Sequence, residues 1–304
     1  MTFGGARTVT VEAGHTIASD AVPLPAAPLE RLSITLYFDG PTGPATFHEN
    51  GMTTTYRAAG DRTLDRGGAA FTGETSHSWY YLAGVDVGGV PGRSEGAVVA
   101  LGDSITDGAL TTPGADNRYP DQLAERLTAA GRRLGVLNAG INGNMVLTDS
   151  PCFAGEKAVT RIRRDVLEQP GVRSVIVLEG VNDIGGGDVG CGGPPPIGAQ
   201  QLIEGHRALI RAARAQGVRV IGATITPFKG NEWYYNPRNE ALRDDLNRWI
   251  RTSGEYDAVV DLDRALADPA DPDALRPAYD SGDHLHPNDA GMTAIAAAID
   301  PRSL

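Results

Sequence analysis

From residue 96 onward, short apolar runs alternate with segments of helical period, and this alternation restricts the chain to a layered α/β fold. The run Ala97-Val98-Val99-Ala100-Leu101 has no polar break, as a strand buried on both faces requires. Further strands are expected at Gly135–Asn138, Ser174–Leu178, Val218–Ile225 and Ala258–Leu262. Tyr119–Ala130 carries Leu123, Leu127 and Ala130 at helical spacing, and later helices are expected near 158–168, 200–216, 237–252 and 288–299. Five strands alternating with helices make a doubly wound parallel sheet. Such sheets place their sites beyond the carboxyl ends of the strands.

Residues 1–95 read differently. Arg7–Glu12, Leu32–Phe38, Met52–Arg57 and Ser78–Val87 are β-branched or aromatic, and Gly, Pro and Asp clusters separate them. Short strands at this spacing predict a small all-β sandwich. The 304 residues suit two domains, with the division expected between 1–95 and 96–304. The 39 glycines and 20 prolines imply many turns. A net charge of −11 argues against a nucleic-acid backbone or an anionic membrane as the main partner. No apolar run is long enough for a membrane span.

Each of the first three parallel strands runs into an unusual polar loop. The loops are Gly102-Asp103-Ser104-Ile105-Thr106-Asp107-Gly108, Asn138-Ala139-Gly140-Ile141-Asn142-Gly143-Asn144 and Glu179-Gly180-Val181-Asn182-Asp183. Asp283-His284-Leu285-His286-Pro287 precedes the last helix. A separate match, Gly92-Arg93-Ser94-Glu95-Gly96, has the G-x-S-x-G pattern. It precedes the first parallel strand, whereas a nucleophile elbow needs a strand before it and a helix after it; it is read as a linker turn.

Together the four loops resemble the SGNH, or GDSL, hydrolase superfamily, and the resemblance covers about 97–300. It implies a flavodoxin-like five-stranded sheet and an acyl-transfer site. Block I matches Gly102-Asp103-Ser104, with Ile105 in place of the usual leucine. The resemblance implies Ser104 as nucleophile, Asp283 and His286 as its partners, and Gly143 and Asn182 as oxyanion donors with the Ser104 amide. The chemistry suits the residue types. A serine hydroxyl needs a base to take its proton, a neutral imidazole is such a base, and a carboxylate can hold the far ring nitrogen. His284 competes for the base role, but its spacing to Asp283 favours His286. Asp103, Asp107 and Asp183 are expected to satisfy backbone donors. His15, His48, His77 and His206 form no cluster. No metal-ligand spacing is present, and no metal or cofactor is expected. Trp233, Tyr234 and Tyr235, in the loop after the fourth strand, either line the substrate cleft or pack the helix below; both readings stand.

The expected function is hydrolysis of carboxylic esters through an acyl-enzyme, with short acyl groups or carbohydrate O-acetyl esters as substrate. The similarity extends to a bacterial subgroup in which a β-domain precedes the hydrolase, including enzymes compared with acetylxylan esterases. One alternative is a lipase or phospholipase acting on longer chains. Another is a polysaccharide-binding protein with an inactive hydrolase domain, for which Trp79, Tyr80 and Tyr81 would offer stacking surfaces. A small-molecule or polysaccharide ester is the expected partner.

Cys152 and Cys191 lie in Gly/Pro-rich loops without CxxC spacing. They are read as one disulfide, which favours an oxidising compartment and contributes on the order of 3–4 kcal/mol. The first residues carry no basic and apolar leader pattern, so the expectation is an extracellular protein whose signal peptide is not part of this chain. Thiol titration of protein folded under oxidising conditions is expected to find no free thiol; two reactive thiols would remove the disulfide.

Overall fold

The computed structural model describes residues 1–88, 94–186 and 195–304. Its centre is a five-stranded parallel sheet of β1 (Gly96–Gly102), β2 (Leu134–Gly140), β3 (Val172–Leu178), β4 (Arg219–Ala223) and β5 (Ala258–Val260). The spatial order is β2-β1-β3-β4-β5, so the winding reverses beside β1. Parallel register sets Gly102 opposite Gly140 on one side and opposite Leu178 on the other. The loops after β1, β2 and β3 therefore leave the sheet side by side, at the crevice where open α/β sheets hold ligands.

The unbroken apolar runs follow from burial on both faces. Side chains alternate along a strand. Val99, Leu101, Val175, Val177 and Val220 face one core layer, with α3 (Ala158–Ile162), α5 (Ala199–Arg214) and α6 (Pro237–Thr252). Val98, Ala100, Ile176, Leu178, Ile221 and Ala223 face the other, with α2 (Tyr119–Ala129), α7 (Leu262–Leu266) and α8 (Asp289–Ala298). In α5, Leu202, Leu209 and Ala213 are buried, as an amphipathic helix on a sheet requires. Asn236 caps α6 and Asn288 caps α8 through their side chains. Two short helices complete the rim of the sheet, α1 (Ser104–Asp107) after β1 and α4 (Val181–Gly185) after β3.

Ahead of the sheet the antiparallel pairing is small. Phe47–His48 pairs with Trp79–Tyr80, and single bridges join Thr55 to Ser76 and Phe3 to Ala6. The segments 7–12 and 32–38, expected as strands, carry no ladder. Their apolar side chains, among them Val9, Val11, Leu32 and Leu36, are exposed; β-propensity without a face to bury does not organise a sheet. Two compact units are formed, 1–34 and 35–304, so the expected boundary at 95/96 lies inside the second unit. In the first, Asp20 accepts hydrogen bonds from the Thr2 hydroxyl and from the Gly4 and Gly5 amides. The G-x-S-x-G pattern at 92–96 and Cys191 fall wholly or partly outside the described residues. Among the described residues no cysteine is free, and no helix is long and apolar enough to cross a membrane.

Within the second unit, the segment before β1 is fastened to the sheet. His48 Nε2 lies 2.7 Å from Asp107 Oδ1. The Gly51 carbonyl accepts from Arg118, and the Met52 carbonyl accepts from the Gly114 amide. Asp107 has a side chain only 3% exposed, and burying a carboxylate without a partner is costly. His48→Ala is expected to lower the unfolding free energy by about 1–3 kcal/mol, read from urea denaturation; an unchanged midpoint would show that the link carries no stability.

Candidate active site

Ser104 opens α1 immediately beyond β1. Asp103 forms the N-cap, its Oδ1 accepting the Ile105 amide at 2.9 Å. At the first helical position the Ser104 amide has no intrahelical acceptor. His286 arrives from the loop before α8, and its Nε2 lies 2.8 Å from Ser104 Oγ. His286 Nδ1 lies 2.6 Å from Asp283 Oδ2. Asp283 Oδ1 accepts the amides of Leu285 and His286 and the hydroxyl of Ser281. Partial burial pushes the Asp283 carboxyl up, but the bonds from the His286 ring and amide and the His286 charge outweigh it and hold the group well below the usual range. The three-residue spacing works because one carboxylate grips both the backbone and the ring of the same histidine. His284 turns elsewhere: it is exposed, and its Nδ1 meets Asp280 Oδ2 at 2.5 Å.

Gly143 and Asn182 stand beside the serine, in a cleft of about 730 Å³ that also contains Ser104, Asp283 and His286. Gly143 has φ +72°, and a Cβ there would sit 2.7 Å from the Phe153 ring; glycine meets both demands. Asn182, buried on α4, donates through Nδ2 to the Asn144 carbonyl at 2.9 Å and accepts at Oδ1 from the Tyr234 hydroxyl at 2.6 Å. Of the three adjacent aromatics, Tyr234 reaches the cleft. Trp233 is 79% exposed, and Tyr235 packs against the core beneath α6. Of the two readings, cleft lining applies to Tyr234 alone; Tyr235 packs into the core, and the exposed Trp233 lies outside the cleft. The cause is a tight turn in which Asn231 Oδ1 accepts the amides of both Trp233 and Tyr234, sending neighbouring side chains apart.

Beneath the serine lies a buried ionic cluster that sequence reasoning did not find. Arg161, 1% exposed, donates to the Gly102 and Ala139 carbonyls at the ends of β1 and β2, to Asn144 Oδ1, and to Glu179 Oε1 at the end of β3. Glu179 is pushed well above the ordinary range by burial and by the charge of Asp103. Burial also moves Asp103 up to about 6, against the Ile105 amide and the positive charges of His286 and Arg161. Asp183 rises to about 7 by burial, against hydrogen bonds from the Val146 and Leu147 amides. Asp103, Asp107 and Asp183 thus bind backbone or side-chain donors at the edge of the site. An arginine on a helix ordinarily reads as solvated, and nothing in the pattern marked Arg161. The cleft has a second unanticipated wall, Asn50, Met52 and His77 from the segment before β1. Met52 holds φ +52° and Leu110, on the same cleft, φ +63°, an uncommon conformation for residues with a Cβ. His206, by contrast, is a core residue bonded to Tyr256, and burial lowers its pKa to about 4. Among the described residues no group of three or more His, Cys, Asp or Glu is arranged to hold a metal ion.

A sequence profile of the GDSL-like lipase/acylhydrolase family matches residues 100–294. The chain belongs to this family. It is a carboxylic ester hydrolase, and the loops that carry the family's motifs are the ones that meet at the cleft. Solved structures share the fold of this acylhydrolase. An aryl esterase of M. smegmatis superposes with a TM-score of 0.52 at 14% identity, covering 67% of this chain and 95% of its own. An acetyl xylan esterase gives 0.50 at 22%, covering 66% and 96%. A GDSL-like lipase from Bacteroides thetaiotaomicron gives 0.50 at 19%, covering 69% and 88%. Among curated proteins there is no match.

The raised acids set the sign of a pH effect. Unfolded carboxylates ionise near pH 4, so Asp103, Glu179 and Asp183 hold protons in the folded state that the unfolded chain has already lost. Stability then falls as pH rises through their folded values. Buried His206 works the other way below about pH 6.5, but one imidazole opposes three carboxyls. The melting temperature is therefore expected to be higher at pH 5 than at pH 8. A rise between those values would mean that the cluster is ionised throughout.

Proposed function

We propose that the chain is a serine esterase working through an acyl-enzyme, with short-chain acyl esters, including O-acetyl groups on carbohydrates, as substrates. The observation that carries this reading is the unbroken line from Ser104 Oγ through the His286 ring to Asp283, opening into the cleft. His286 Nε2 takes the Ser104 proton as Oγ attacks the ester carbonyl. The tetrahedral oxyanion is held by the amides of Ser104 and Gly143 and by Asn182 Nδ2. His286 then gives its proton to the leaving alcohol, and the acyl group stays on Ser104. Water repeats the sequence: His286 removes its proton, the hydroxide oxygen attacks, and Ser104 departs with the proton returned. Asp283, ionised throughout by its hydrogen bonds, stabilises the imidazolium.

Two features support a small acyl group with a hydroxylated alcohol. Phe153 crowds the Gly143 side of the cleft, Met145 adds to its lining, and Asn50, His77 and Asn142 offer polar groups on its walls. The longer-chain reading has its own support in Met52 and Leu110, which add apolar surface. An extracellular setting fits a Cys152–Cys191 bond, since Cys152 adjoins Phe153 and the bond would hold that wall.

Rates on p-nitrophenyl esters from acetate to palmitate separate these readings. The expected profile peaks at acetate or butyrate and falls with longer chains. Ser104→Ala abolishes it, and Asn182→Ala lowers kcat by about 10²–10³. A peak at long chains would favour the lipase reading. Activity that survives Ser104→Ala would overturn the mechanism.

A further inference from the structure

We propose that Tyr234 is a positioning residue for the oxyanion donor Asn182, and that Asn231 ties it to the loop carrying Asp283. The proposal rests on the ester-hydrolysis reading above and deepens it.

A carboxamide can present either oxygen or nitrogen to the cleft, and only an N–H stabilises an oxyanion. Two contacts settle which. The Asn144 backbone carbonyl can only accept, so the amide nitrogen of Asn182 must face it. The amide oxygen is then left facing the Tyr234 hydroxyl at 2.6 Å, and the phenol must donate. Burial holds the phenol pKa well above its ordinary value, so that proton is retained across the working range. With the oxygen and one N–H engaged, the second N–H remains for the substrate. Tyr234 is therefore matched to the functional rotamer of Asn182 rather than to a ligand.

The ring itself is aimed by its surroundings. Phe228 meets it edge-to-face, with centroids 6.4 Å apart. Gly185, on α4 three residues beyond Asn182, lies flat against it; a Cβ there would stand 2.6 Å from a ring carbon. Asn231, 8% exposed, accepts the Tyr234 amide at 3.0 Å and donates through Nδ2 to the Asp283 carbonyl at 2.8 Å. One turn thus touches the oxyanion donor through Tyr234 and the carboxylate loop through Asn231. The two halves of the site are set at a common distance by a segment that makes neither attack nor proton transfer.

The experiment compares wild type, Tyr234→Phe, Asn182→Ala and the double variant on p-nitrophenyl acetate, with Ser104→Ala as the control. Tyr234→Phe keeps the ring and removes the donor. It is expected to lower kcat on the order of tenfold, less than outright loss of a donor, with KM within about twofold because the oxyanion exists only beyond the ground state. The melting temperature should fall modestly, because the buried Asn182 Oδ1 loses its donor, and an arylboronic acid, whose adduct places an oxygen in the same pocket, should bind more weakly. In the Asn182→Ala background the Tyr234→Phe change should have no further effect on kcat. Gly185→Ala, which pushes a methyl into the ring while keeping the phenol, should lower kcat with the same dependence on Asn182. A change in KM alone would make Tyr234 a substrate-contacting wall and overturn the proposal. An unchanged kcat, or an equal loss with and without Asn182, would overturn it as well. If wild type shows no Ser104-dependent hydrolysis, the functional reading fails first; Ser104-dependent activity with an inert Tyr234→Phe sinks only the positioning role.

Discussion

Arg161 holds the ends of three strands at once. Its guanidinium is the common donor to the Gly102 carbonyl that ends β1, to the Ala139 carbonyl one residue before the end of β2, to Asn144 Oδ1, and to the Glu179 carboxyl just beyond β3. Parallel strands stop hydrogen bonding to each other where they leave the sheet, and buried carbonyls there need donors. A planar cation with five N–H groups can serve several of them from one point. The loops bearing Ser104, Gly143 and Asn182 all start from groups that this side chain has fixed. The cluster carries more carboxyls than cations, and burial raises the pKa values of Asp103, Glu179 and Asp183.

This arrangement explains the division between what could be read in advance and what could not. The strands from 96 onward were legible because burial on both faces leaves an apolar run with nothing to confuse it. Ser104, Asp283 and His286 were legible because their chemistry demands particular residue types next to particular strand ends. Arg161 was not, since two of its partners are backbone carbonyls that no residue type announces and two side chains it meets, Asn144 and Glu179, lie 17 and 18 residues away. Asn231 was hidden for a similar reason: its role depends on a main-chain oxygen 52 positions away. Tyr234 was visible as one of three candidates, and only the turn decided which of the three points inward.

The region before β1 was legible in composition but not in organisation. Alternating β-branched residues suggested ladders at 7–12 and 32–38, yet their apolar side chains remain exposed. Strand propensity describes a side chain that fits a half-buried pleat, and without a second layer that preference has nothing to act on. Residues 47–80 are instead fastened to α1 and the 108–118 loop before α2 in their own unit. The signals were a histidine and a few backbone carbonyls, which carry no periodicity.

That attachment separates two properties of the enzyme that are usually written in the same residues. The groups proposed to break the ester all lie after residue 100, whereas part of the surface that an incoming ester meets comes from Asn50, Met52 and His77. Exchange of this segment between relatives would regraft one wall onto unchanged reaction chemistry. The graft would have to bring a partner for the buried Asp107. Variation in this wall would leave the proposed reaction chemistry in place, restrained by the His48–Asp107 contact and the bonds from Arg118 and Gly114 to the Gly51 and Met52 carbonyls.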